Sequence, residues 1–151
     1  MQFHHGFSVA APAETVWTTI TDIERVAPCV PNTRVTGRAD PDGFAVQITA
    51  AVGPFEITAA GTIALAERDD AAQREVLKIV VLDADGDRLA EATVTIVLTA
   101  GGATTDGAVH TDVELGGIAT LVAEDTLDQV AGDTLRTFAA NLEALLGRAP
   151  A

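Results

Sequence analysis

Residues 2–10 alternate: Phe3, His5, Phe7 and Val9 fall on one side and small or polar residues on the other, which predicts a strand. Pro12 suits the first turn of a helix, and Glu14 sits favourably near its positive end. Val16, Trp17 and Ile20 give that helix an apolar side. Asp22 can cap a second short helix, Ile23 to Ala27, which Pro28 and Pro31 end. From Arg34 the helical period disappears. Pro41-Asp42-Gly43 signals a turn, and Phe44, Val46, Ile48 and Ala50 alternate after it. Gly53-Pro54 breaks that strand, and Ile57, Ala59, Gly61, Ile63 and Leu65 form the next. Glu67 to Gln73 reads as a polar loop. Leu77, Ile79 and Val81 follow, then an Asp85-Gly86 turn. Ala90, Ala92, Val94, Ile96 and Leu98 oppose polar neighbours, Gly101-Gly102 turns the chain, and Val109, Thr111, Val113 and Leu115 alternate last.

That pattern predicts seven antiparallel strands, with sequence neighbours pairing as a meander. Gly116-Gly117 stops the last one. Ile118 to Leu146 then reads as one helix, with Leu127, Val130, Thr134, Phe138, Leu142 and Leu145 on a single stripe and Gly132 as a soft point. The fold class is α+β: a curved seven-stranded antiparallel sheet wrapped around a long C-terminal helix, with two short helices after the first strand. Residues 1–147 form one domain, and 148–151 read as a frayed end.

Composition sharpens this picture. The 151 residues include 28 Ala, five Phe, one Trp and no Tyr. Small inward residues on a curved sheet leave space, so the composition permits a cavity. The net charge of −13 argues against nucleic acid and anionic membranes, both of which require a basic face. The start, MQFHHGF, lacks the basic and apolar blocks of a signal peptide, and no apolar run is long enough to span a bilayer. A single cysteine makes no internal disulfide. A cytoplasmic location is the expectation, with membrane contact peripheral at most, at the inner face.

Candidate chemistry is sparse. Ser8 is the only serine and lies on a strand, which leaves no serine triad. Cys29 reads as a small buried residue at a corner. His4 and His5 point to opposite sides of one strand, so they do not share a metal. Asp83 to Asp87 resembles the start of a calcium loop, but Val94 stands where the closing Glu belongs, and a hairpin turn explains the segment better. His5 is the one ionisable side chain that the alternation turns inward.

Four segments carry a family resemblance. They are Phe7-x-Val9 with Ala11-Pro12-x-Glu14-x-Val16-Trp17; the corner Cys29-Val30-Pro31; Val52-Gly53-Pro54 followed by Gly61-Thr62-Ile63; and Gly117-Ile118-Ala119 opening the final helix, with Phe138 and Leu142 near its end. Together they resemble the helix-grip superfamily of START and polyketide-cyclase-like proteins (SRPBCC), and within it the CoxG family, named for the G subunit of carbon monoxide dehydrogenase. Asn32 stands where the family corner usually ends in Gly, and Val122 where its final helix usually carries another Gly. Many relatives have a C-terminal extension that meets the membrane, whereas this sequence stops at Ala151.

The resemblance implies a cavity for a lipophilic molecule, expected to be menaquinone or another isoprenoid quinone; no metal site and no covalent cofactor are expected, since no metal-binding or phosphate-cradling motif occurs. It also implies partnership with a molybdenum hydroxylase of the carbon monoxide dehydrogenase type, as electron carrier or membrane-recruitment subunit. The expected walls are Val46, Ile48, Ile57, Ala59, Ile79, Val81, Val94, Ile96 and Val113 on the sheet, Trp17 and Val30 near the short helices, and Leu121, Leu127 and Phe138 on the long one. Asp125 and Gln129, one turn apart, are expected to hydrogen-bond the ligand if their face looks inward. Filling the space with Ala59→Phe is expected to abolish ligand retention. The competing readings are a polyketide-cyclase-like enzyme using the same cavity, which needs an acid or base inside, and a ligand-free assembly factor.

Overall fold

Strand β1 (Gln2–Val9) buries Phe3, Phe7 and Val9 and exposes Gln2, His4, Gly6 and Ser8, so its alternation decides its two faces. The computed structural model describes residues 1–39, 43–52, 54–83 and 85–147, without the side chains of Ala39, Ala50, Ala51, Val52, Phe55, Ile57, Ile118 and Ala119. The turn residues Pro41 and Asp42, Gly53 and the end at 148–151 lie outside the described residues.

Helix α1 (Ala13–Ile20) begins one residue past Pro12, which holds extended backbone as its cap. Helix α2 (Ile23–Val26) is capped by the Asp22 side chain, which accepts from the Arg25 amide. It is shorter than expected: Ala27–Cys29 tighten into a 3-10 turn, because Pro28 cannot continue an α-helix. Asn32 then takes φ +61°, a left-handed conformation that Asn tolerates and Gly usually supplies.

Strands β2 (Thr33–Ala39), β3 (Gly43–Val52), β4 (Phe55–Asp69), β5 (Arg74–Leu82), β6 (Arg88–Gly101) and β7 (Thr104–Leu115) form the meander. Strand β4 continues through Glu67, where a polar loop was expected; a bulge between Leu65 and Glu67 keeps it paired with β5. The sheet order is β1-β7-β6-β5-β4-β3-β2, all antiparallel. Sequence neighbours therefore pair from β2 onward, but β1 and β2 stand at opposite edges. The two short helices carry the chain from one edge to the other, and no short turn could join strands so far apart.

The final helix also differs in extent. Gly117–Leu121 form a 3-10 turn, and helix α3 runs over Glu124–Gly147. Gly117, at φ +57°, redirects the chain, and Glu124 and Asp125 supply the negative charge a helix start favours. The helix packs chiefly on β1 and on the Ala27–Cys29 turn. Phe138 and Leu142 are its buried anchors, and the Asn141 amide donates to the Cys29 carbonyl at 2.9 Å. Phe7 lies edge-on to Phe138, with ring centroids 5.9 Å apart. Gly107 makes this possible, since a Cβ there would run into the Phe7 ring. The core gathers Val9, Val16, Trp17, Ile20, Ile96, Leu98 and Val109 around that pair.

Candidate functional site

The concave face of the sheet does not close fully onto α3. A cavity of about 320 Å³ remains between them, within the size range of small-molecule sites. Its wall is overwhelmingly apolar. Ile20, Ile23, Val26, Ala27 and Val30 close one side from the short helices and the corner. Ala131, Thr134, Leu135 and Phe138 close another from α3, at the spacing of one helix face. Ile48, Ile63, Leu77, Ile79, Val94, Ile96 and Val109 form the sheet side. Two other depressions, about 370 Å³ beside Pro31 and about 580 Å³ beside Thr18, are surface clefts of mixed polarity.

Of the expected wall residues, Val30, Ile48, Ile79, Val94, Ile96 and Phe138 line this cavity. Val46 and Ala59 are buried on the same inner face, Ala59 opposite Ile48, but they do not line the cavity. Val81 and Val113 are half-buried further along their strands, outside the wall. The Ile57 side chain lies outside the described residues. Trp17 belongs to the core, and its indole nitrogen donates to Asp70 at 2.9 Å. The Arg68 side chain donates to the same carboxylate at 2.7 Å. Arg68 and then Trp17 hold the Asp70 carboxyl below its ordinary value.

On the C-terminal side the expectations need more correction. Leu121 is 79% exposed, on the 3-10 turn that precedes α3. Leu127 is half-buried one turn before the wall begins. Asp125 and Gln129 are exposed. At 3.6 residues per turn they sit roughly 130° and 170° from the centre of the face that carries Ala131, Thr134, Leu135 and Phe138, so they point away from the cavity.

Two ionisable residues line the cavity among those described. His5 reaches it from β1, and its Nε2 lies 3.0 Å from an oxygen of Asp128 on α3. Gly132 is open for this ring: a Cβ there would stand 3.3 Å from His5 Cε1. The second is Glu75 on β5, which strand alternation did not single out. It is wholly buried, and neither carboxylate oxygen has a hydrogen-bond partner. Burial pushes its carboxyl up to about 7, with nearby Arg68 opposing. The signal was present, since Glu75 is in phase with Leu77, Ile79 and Val81. The strand was read from Leu77 onward, so Glu75, close to the expected Glu67–Gln73 loop, was left out of it.

The remaining candidates sit elsewhere. His4 pairs with His110 on the outer face of the sheet, their Nδ1 atoms 3.1 Å apart. Cys29 is buried at the corner and is not in the cavity wall. Asp83 caps its own hairpin turn by accepting from the Asp85 and Asp87 amides, each at 2.9 Å. Among the described residues no cluster of three metal-ligating side chains exists, and no helix is long and apolar enough to cross a membrane.

Comparison with known proteins agrees with this architecture. A family profile for the G subunit of carbon monoxide dehydrogenase (CoxG) matches residues 6–147. Among curated proteins, none matches the chain in sequence. A conserved protein from Geobacillus kaustophilus superposes with a TM-score of 0.85 at 14% identity, covering 98% of this chain and 96% of that one. A START superfamily protein from Mycobacterium smegmatis gives 0.68 at 18% identity, with 97% of each chain covered. The Zhui aromatase/cyclase from Streptomyces sp. R1128 gives 0.64 at 16% identity, covering 98% of this chain and 94% of that one. At such identities these likenesses concern the fold, which is START-like.

Proposed function

The chain belongs to the CoxG family of carbon monoxide dehydrogenase subunits, and from that membership we propose that it carries a lipophilic small molecule, an isoprenoid quinone such as menaquinone, between its sheet and its final helix. In this reading it serves a molybdenum enzyme of the carbon monoxide dehydrogenase type, as an electron carrier or as the subunit that brings the enzyme to the membrane. The observation that carries the proposal is the cavity itself. About 320 Å³ of space walled by aliphatic and aromatic side chains is a poor outcome for a protein with nothing to bind, because unfilled apolar space forfeits packing. A ring system would recover those contacts, and apolar burial would drive its affinity. The strongly acidic surface suits docking to a basic partner and disfavours direct adhesion to anionic lipid.

One observation favours a second reading. Glu75 and His5 are both turned into the cavity, and an acid and a base are what a cyclase-type enzyme needs there. Organic extraction of the purified protein, followed by mass spectrometry, separates the two. A stoichiometric quinone supports the carrier. Absence of any extracted ligand, together with no thermal shift on adding menaquinone, rejects it and leaves the enzyme and the assembly factor.

A further inference from the structure

Inside the cavity, one row of inward residues crosses four strands. His5 on β1 pairs with Val109 on β7, Val109 with Ile96 on β6, and Ile96 with Glu75 on β5. All four line the space. The row is polar at its two ends and apolar between. At its β1 end an Asp128 oxygen from α3 stands 3.0 Å from His5 Nε2, a charge neighbour although the two do not form a hydrogen bond. At the other end, among the described residues, nothing donates to or accepts from the Glu75 carboxyl. A fully buried carboxyl without a hydrogen bond costs on the order of 1–3 kcal/mol, and unsatisfied buried groups of this kind are rare in folded proteins. A group of that cost, aimed into a binding space, points to a ligand atom that satisfies it.

We propose that Glu75 determines the specificity of the cavity by donating a hydrogen bond from its carboxyl to a carbonyl oxygen on a neutral, otherwise apolar ring ligand. The inference rests on the carrier reading above and narrows its ligand class. The charged groups near Glu75 fit a neutral partner. Arg68 on β4 is the nearby cation, and its guanidinium is engaged by Asp70. From β1 the ionisable group facing the cavity is His5, and Asp128 is its neighbour on α3. The carboxyl titrates near 7, so its hydrogen-bond-donating form is populated at neutral pH. A ligand ammonium is the poorer match. It brings three donors to a wall that offers one carboxyl, the distant His5 ring at the other end of the row and scattered threonines, and the unmet donors would be desolvated at cost.

Equilibrium dialysis of the purified protein tests this with two probes of one carbon skeleton, 2,3-dimethyl-1,4-naphthoquinone and 2,3-dimethylnaphthalene. Methylation at both free quinone positions prevents addition of the Cys29 thiol. Wild type should prefer the quinone, and Glu75→Leu should reduce that preference roughly tenfold, with the hydrocarbon binding at least as well as before. Glu75→Gln keeps an N–H donor, so it should retain most of the preference. Raising the pH from below to above about 7 should weaken quinone binding in wild type and leave Glu75→Gln unaffected. An equal preference in wild type and Glu75→Leu overturns the inference while leaving the cavity reading intact. Tighter binding of a naphthylmethylamine than of the quinone overturns it as well. If neither the quinone nor the hydrocarbon binds, the carrier reading fails and this one with it.

Discussion

Glu75 and Trp17 occupy similar depths, but their polar atoms are treated in opposite ways. The Trp17 nitrogen is satisfied by Asp70, whereas the Glu75 carboxyl is left bare in an apolar wall. Each residue makes a prediction. The Glu75 carboxyl has an ordinary value of 4.5 and a folded value of about 7. Between those two values the folded chain holds a proton that the unfolded chain has released. Stability should therefore fall as pH rises from about 4.5 to about 7, and level off above, by roughly 3 kcal/mol in all. Urea melts of the ligand-free protein at either end of that window check the slope, and Glu75→Gln should abolish it and be the more stable protein on the alkaline side. Trp17→Phe removes a donor from Asp70. Its carboxyl should move back up towards 3.8, read by NMR titration, while Arg68 preserves part of the depression.

At the scale of elements, α3 is held by a narrow set of contacts. Leu142 is completely buried, while Leu121, only a few residues before the helix begins, is 79% exposed. Leu142→Ala should cost about 2–5 kcal/mol, and Leu121→Ser should change stability by no more than about 0.5 kcal/mol. A large effect at Leu121 would mean that the turn before α3 packs against something, contrary to the exposure seen. Gly132 is explained at this scale too. A glycine in mid-helix normally weakens the helix, and here it leaves room for the His5 ring. The periodicity of α3 was legible in its sequence, and Phe138 and Leu142 were correctly placed on its stripe. Its first turn was not legible, because Ile118 to Ala123 continue the apolar character of the helix without sharing its direction.

For the whole molecule, the question is what the space between sheet and helix is for. Ala131 lines it from α3 and is small. Ala131→Phe should project a ring into existing space rather than into a filled core. We expect ligand retention to fall at least about tenfold with the melting temperature unchanged or raised, since overpacking penalties of about 1–3 kcal/mol apply where no space exists. Extraction and a thermal melt on the same preparation check both halves. Retention equal to wild type would separate the ligand from this cavity.

The alternation of the strands, the proline-limited helices and the long apolar stripe are local properties, set by side-chain periodicity and backbone geometry. They were readable from the chain, and so were the antiparallel meander and the five wall residues, Ile48, Ile79, Val94, Ile96 and Phe138, that follow directly from strand phase or the helix stripe. Which strand closes the far edge of the sheet, where α3 begins, and how it is rotated over the sheet are not local. They depend on the sum of contacts between segments more than a hundred residues apart, such as β1 with β7 and Asn141 with Cys29. That rotation placed Asp125 and Gln129 in solvent and Ala131 and Leu135 over the cavity. The same folding left Glu75, a charged residue that strand alternation did not single out, buried and without a hydrogen bond. Charge in a sequence predicts exposure only until tertiary packing removes the water around it.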